Sequence, residues 1–106
     1  MTGCLFVYVT TPTHAEAETL ARAAVEERLA ACANILPAMT SLYRWQGKIE
    51  EGREAVLILK TRAALFDALT ARLKTLHPAE CPCIVALPLV AGEAGFLRWI
   101  GDETQK

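Results

Sequence analysis

The chain has 106 residues, of which 53% are hydrophobic and 22% charged, and its formal net charge is −1. That length suits one domain over residues 1–106. Interleaved acids and bases leave no basic stripe for phosphates, which argues against a nucleic-acid binder, and no apolar run is long enough to span a bilayer.

Cys4 to Val9 mixes β-branched, aromatic and aliphatic residues in a short apolar run, the pattern of a buried strand. It stops at Thr10-Thr11-Pro12, and no charged segment or Ala-x-Ala site marks it as a signal peptide. A cytoplasmic setting with four reduced cysteines is therefore expected. Thr13-His14-Ala15-Glu16 has the spacing of a capping box, in which hydroxyl and carboxylate reciprocally satisfy free backbone amides. Ala17, Leu20, Ala21, Ala24 and Val25 then repeat at helical spacing, which predicts a helix from Thr13 to about Ala30. His14, in its first turn, is expected to be a neutral surface residue. Cys32 to Gln46 reads as extended, with a bulge or an edge position at Pro37. Gly47-Lys48 is the expected turn, and Ile49 to Thr61 returns antiparallel. Leu65, Phe66, Leu69, Leu73 and Leu76 mark a second helix, which His77-Pro78 ends. Cys83 to Leu87 predicts a fourth strand, and Gly95 to Ile100 a final short helix.

The order β-α-β-β-α-β-α predicts an α+β, ferredoxin-like sandwich with a C-terminal helix added. Ile49 to Thr61 spans roughly 43 Å as a strand, whereas the second helix covers only about 23 Å. The middle hairpin must therefore project beyond its helical cover. A projecting ribbon that carries Leu42, Tyr43, Trp45 and Ile49 invites pairing, so an obligate homo-oligomer is expected.

Seven motifs occur in a fixed order: Val7-Tyr8-Val9-Thr10-Thr11-Pro12, Glu27-Arg28-Leu29-Ala30-Ala31-Cys32-Ala33-Asn34-Ile35, Ser41 to Ile49, Leu59-Lys60-Thr61, His77-Pro78 with Glu80 and Pro82, Ala86-Leu87-Pro88, and Trp99-Ile100. Together they resemble the CutA family of divalent-cation tolerance proteins. The resemblance implies a tight homotrimer whose long strands pair edge to edge, with clefts between subunits as in PII signalling proteins. It implies divalent-metal binding, copper most often, a link to metal tolerance, and no catalytic reaction. Ala79 stands where the family's His-Pro-Tyr-Glu pattern has tyrosine. Val9 and Leu76 stand where some relatives carry a thiol and a second histidine.

Cys32 is either a small apolar side chain at a packed junction or, by its family position, a thiol ligand. His77 either suits the dipole at a helix C-terminus or serves, with Glu80, as a metal ligand facing a cleft. Cys81-Pro82-Cys83 directs two thiols to one side of an extended segment. Paired thiols favour soft ions such as Cu(I) or Zn, although two ligands do not complete a tetrahedral site. Lys60 ends a run of apolar residues and needs either solvent or an anion. With Tyr43 and Trp45 it forms the candidate anion site, although sheet and subunit packing also explain the two aromatics. Glu50 to Glu54 reads as a solvated, aggregation-resistant hairpin rim.

Three function classes follow. The first is a trimer that holds copper or a similar divalent ion through Cys32, His77 and Glu80. The second is a PII-like sensor of a small anion at Lys60, and the third is a trimeric scaffold that docks another protein. An enzyme ranks last, because no Ser/His/Asp order, Gly-rich phosphate loop or spaced metalloenzyme motif is present. The expected partners are further copies of the chain and a metal ion, with neither nucleic acid nor membrane.

Overall fold

Strand β1 (Cys4–Thr11) alternates in burial, with Val7 and Val9 fully enclosed and their neighbours Phe6, Tyr8 and Thr10 only half-buried. The alternation gives the strand two unlike faces, and every other element takes its place against one of them. In the computed structural model, which describes residues 1–106, β1 leads through helix α1 (His14–Glu26) to the hairpin of β2 (Cys32–Trp45) and β3 (Lys48–Arg62). A 3-10 turn at Ala63–Leu65 opens helix α2 (Phe66–Leu76), followed by β4 (Ile84–Pro88) and helix α3 (Ala94–Asp102). The sheet order is β2-β3-β1-β4 with all neighbours antiparallel, the ferredoxin-like arrangement that the sequence predicts.

The main core lies between the sheet and α1 and α2. Val7, Val9, Ala55, Leu57 and Leu59 from the strands meet Ala17, Leu20, Ala21 and Ala24 of α1 and Leu69 and Leu73 of α2. Alanines along α1 allow the helix to approach the sheet closely, and the leucines fill the space between. Val25 is surface-exposed rather than part of this face. Ala24 is buried, and its neighbour is rotated about 100° around the helix.

Helix α1 is shorter than the sequence predicts. The amide of Arg28 donates to the carbonyl of Val25 (3.1 Å) and that of Leu29 to Ala24 (2.9 Å), with Arg28 left-handed at φ 58°. These bonds form a Schellman motif, which ends a helix, with arginine where glycine is usual. The C-terminal segment holds Arg28 there: the Gln105 amide donates to the Arg28 carbonyl (2.8 Å), and Arg28 Nη2 donates to the Asp102 carbonyl (2.8 Å). At the other end, Thr13 Oγ1 accepts from the Glu16 amide (3.2 Å) as expected. The Glu16 carboxylate, however, accepts from the Thr13 hydroxyl (3.1 Å) rather than from its amide.

The hairpin turns at Gln46-Gly47, one residue earlier than Gly47-Lys48. Both residues have positive φ, 50° and 80°, and Trp45 pairs with Lys48 across the turn. That is the primed two-residue turn whose twist matches the flanking strands. β3 has 15 residues and α2 only 11, so the ribbon tip extends past the helices and the molecule measures 44 × 25 × 22 Å. Helix α3 packs on the opposite face of the sheet, where Ile100 is buried against Cys4 and Ala31. No helix is long and apolar enough to cross a membrane.

Candidate functional site

The bulge in β2 decides which residues share a surface. Leu36 pairs with Val56 and Met39 with Glu54, so Pro37 and Ala38 together oppose the single residue Ala55. Before the bulge, even-numbered residues of β2 face away from the main core, and after it odd-numbered ones do. Met39, Ser41, Tyr43 and Trp45 thereby join Tyr8 and Thr10 on the outer face of the sheet. Pro37 has no amide proton to lose at this interruption, and β2 is an edge strand, so both readings of the proline hold.

The segment that follows α2 closes the other side. Pro78 forces His77 out of helical geometry, to ψ 132°, and residues 77–83 return beside the end of β1. The result is a cleft of about 520 Å³. Tyr8, Met39, Tyr43 and Trp45 line it on the sheet side, and His77, Glu80, Cys81 and Cys83 on the other. Glu54 also lines it, so the acid of the predicted solvated rim that lies farthest from the hairpin tip is part of the cleft. Its pairing opposite Met39 places it there, which only the register could reveal. Tyr8 and Thr10 also escaped notice, because in sequence they look like strand packing.

His77 is held at both ring nitrogens. Nε2 lies 2.7 Å from the carbonyl of Thr10, and Nδ1 accepts from the amide of Ala79 at 3.0 Å. A carbonyl can only accept and an amide N–H can only donate, so both bonds demand the neutral tautomer with its proton on Nε2. The basic lone pair is therefore on Nδ1. A ring anchored through one N–H to a backbone carbonyl is the usual support for a metal-ligating histidine. Glu80 is exposed, and Cys81 and Cys83 are exposed free thiols. No three of the chain's own His, Cys, Asp and Glu side chains converge on one point, so a complete ligand set does not come from a single chain.

Two predicted site residues lie elsewhere. Cys32 pairs with Lys60, and Lys60 with Phe6 on its other side. Phe6 and Thr10 are four positions apart on β1, roughly 13 Å. Cys32 is half-buried and lines a shallower hollow of about 330 Å³ with Arg22, Val25 and Glu26 of α1. Within one chain it does not join His77 and Glu80. Lys60 lines neither hollow. Its ammonium donates to Asn34 Oδ1 and lies 5.7 Å and 5.8 Å from the ring centres of Phe6 and Phe96. Dipoles and π faces therefore hold this cation, with no carboxylate partner.

The chain matches the family described as CutA1 divalent ion tolerance protein across residues 5–103. It is 48% identical over 98 residues to the divalent-cation tolerance protein CutA of Thermus thermophilus, covering 92% of this chain and 95% of that one. It is 43% identical over 98 residues to human protein CutA, and there it spans 55% of the relative's length. Its fold superposes on the Thermus thermophilus Cut A1 structure with a TM-score of 0.94 at 46% identity, covering 96% of this chain and 99% of that one. On the CutA1 structure from the psychrotrophic bacterium Shewanella sp. SIB1 the TM-score is 0.95 at 32% identity, with 98% and 97% covered. The chain belongs to the CutA1 family of divalent ion tolerance proteins.

Proposed function

We propose that this chain is a homotrimeric, non-enzymatic, cytoplasmic protein that binds copper or a similar divalent ion as part of metal tolerance, with His77 Nδ1 as the principal ligand and Glu80 beside it. The observation behind the reading is the state of His77: its tautomer is fixed by Thr10, and its lone pair meets only one backbone amide. Giving up that amide bond costs about 1 kcal/mol, small beside the 10 kcal/mol or more that a built metal site supplies. Imidazole with carboxylate suits a divalent ion of borderline softness. Bound there, the ion contributes charge and Lewis acidity. The protein contributes a fixed ring, a carboxylate, and the aromatic walls Tyr8, Tyr43 and Trp45.

Cys32 belongs to this site only if a neighbouring subunit brings it there. Support for a trimer comes from Leu42, Tyr43, Trp45 and Ile49, all exposed at the ribbon tip, and from β2 and β4, which leave both sheet edges open. A competitive Cu(II) titration on reduced protein tests the metal reading. His77→Ala should weaken binding by more than about a hundredfold, beyond the loss typical of removing an outer partner. Glu80→Gln should weaken it less. Unchanged affinity in His77→Ala contradicts the reading.

The unpaired cation favours one alternative, a PII-like sensor of small anions at Lys60. An anion that raises the melting temperature of wild type but not of Lys60→Met would support it.

A further inference from the structure

We propose that Cys81 and Cys83 form a second metal site in the same cleft, a two-coordinate bis-thiolate site for monovalent copper. The proposal extends the metal-binding reading of that cleft to a different oxidation state and a different pair of ligands. Three observations lead to it. Both thiols are free, exposed and part of the same cleft wall, so the i, i+2 spacing does bring them onto one surface. The segment between them is a proline, whose fixed φ removes freedom that binding would otherwise have to freeze. And within the chain no third His, Cys, Asp or Glu joins them.

The third observation selects the ion. Zn²⁺ takes four ligands in a closed site, and two thiolates leave it half-coordinated. Cu(I) is soft, prefers thiolate to imidazole or carboxylate, and with its filled d shell accepts linear coordination by two sulfurs. Binding is a simple exchange: Cu⁺ forms two Cu–S bonds, the two S–H protons pass to solvent, and no electron moves. The complex bears one negative charge, which the exposed position of both sulfurs keeps hydrated.

His77 is not a ligand here, because its tautomer and both its hydrogen bonds are left in place. The two sites are therefore separable by mutation. Both cysteines are exposed, so their serine variants retain the buried core.

The test is an anaerobic titration of reduced, full-length protein with Cu(I) against a chromogenic Cu(I) chelator. One equivalent should bind per chain. Cys81→Ser and Cys83→Ser should each weaken it by more than about a hundredfold, while Cys32→Ser and His77→Ala leave it unchanged. In parallel, Cu(I) should protect Cys81 and Cys83 of the wild-type protein, but not Cys32, from alkylation read by mass spectrometry. This second readout needs no variant. Retention of Cu(I) by the Cys81→Ser/Cys83→Ser double variant, or protection of Cys32 alone, overturns the proposal. A Cu(II) titration of the double variant separates the two readings. Intact Cu(II) binding with lost Cu(I) binding upholds both. Lost Cu(II) binding together with lost Cu(I) binding overturns the independence of the two sites. Intact Cu(I) binding overturns this proposal whatever happens to Cu(II).

Discussion

Glu93 shows how one side chain can set a helix. It caps α3, with its carboxylate accepting from the amides of Gly95 (2.9 Å) and Phe96 (2.8 Å). Those two bonds, Gly95 first, hold its carboxyl below the usual carboxylate range. The stability it contributes is complete above the unfolded-state value of about 4.3 and is lost as pH falls through the lower folded-state value. Thermal melts of wild type and Glu93→Gln should therefore differ at neutral pH and converge under acid conditions. A constant difference at every pH would remove the charge from the explanation. His77 and Arg28 make a related point about legibility. The sequence marks His77 as a helix end and a candidate ligand, but its tautomer depends on Thr10, 67 positions away in the chain. Arg28 looked like the interior of a helix because nothing local distinguishes it from its neighbours. What holds it at positive φ is the far C-terminus, through Asp102 and Gln105.

At the scale of elements, the ribbon is where sequence reasoning went furthest. Counting residues predicted that the hairpin projects, and Pro37 pointed to the bulge. The consequence of the bulge was not readable, because side-chain parity depends on register and register depends on which residue pairs with which. Alternation alone shows that Tyr43 and Trp45 share a face but not which face. Deleting Ala38 should remove the bulge and leave Pro37 opposite Ala55 and Met39 opposite Glu54, so Tyr43 and Trp45 keep the outer face. The expected result is a folded protein that keeps the aromatic wall of the cleft. Tryptophan fluorescence checks it: metal addition should quench wild type and the deletion variant alike. Quenching lost in the deletion variant would mean that the pairing with β3 does not hold Trp45 in the cleft. Cys32 fell outside the cleft for the same kind of reason, since its register partner is Lys60.

For the whole molecule, the open question is what covers its exposed apolar surface. Leu42, Trp45 and Ile49 at the tip, Val85 and Leu87 on β4, and Phe96 and Trp99 on α3 are all exposed in one chain. Phe96 and Trp99 stack on each other at 5.5 Å, so they form a patch rather than scattered residues. Surface of this extent usually marks an interface. Native mass spectrometry should show a mass of three chains, and Trp45→Glu/Ile49→Lys should shift the population to monomer at micromolar concentration. A wild-type monomer would remove the trimer from the account. Assembly also bears on the metal, because the single chain supplies no three convergent ligands.

The most direct test of the metal reading is therefore made on the assembly. Crystals of the reduced protein soaked in Cu(II) would be measured on both sides of the copper absorption edge. The account predicts an anomalous peak about 2 Å from His77 Nδ1, the usual metal–imidazole distance, with the Ala79 amide displaced and Nε2 still bonded to Thr10. A peak only at His14 or Cys32, with the bond from the Ala79 amide to His77 intact, would contradict it.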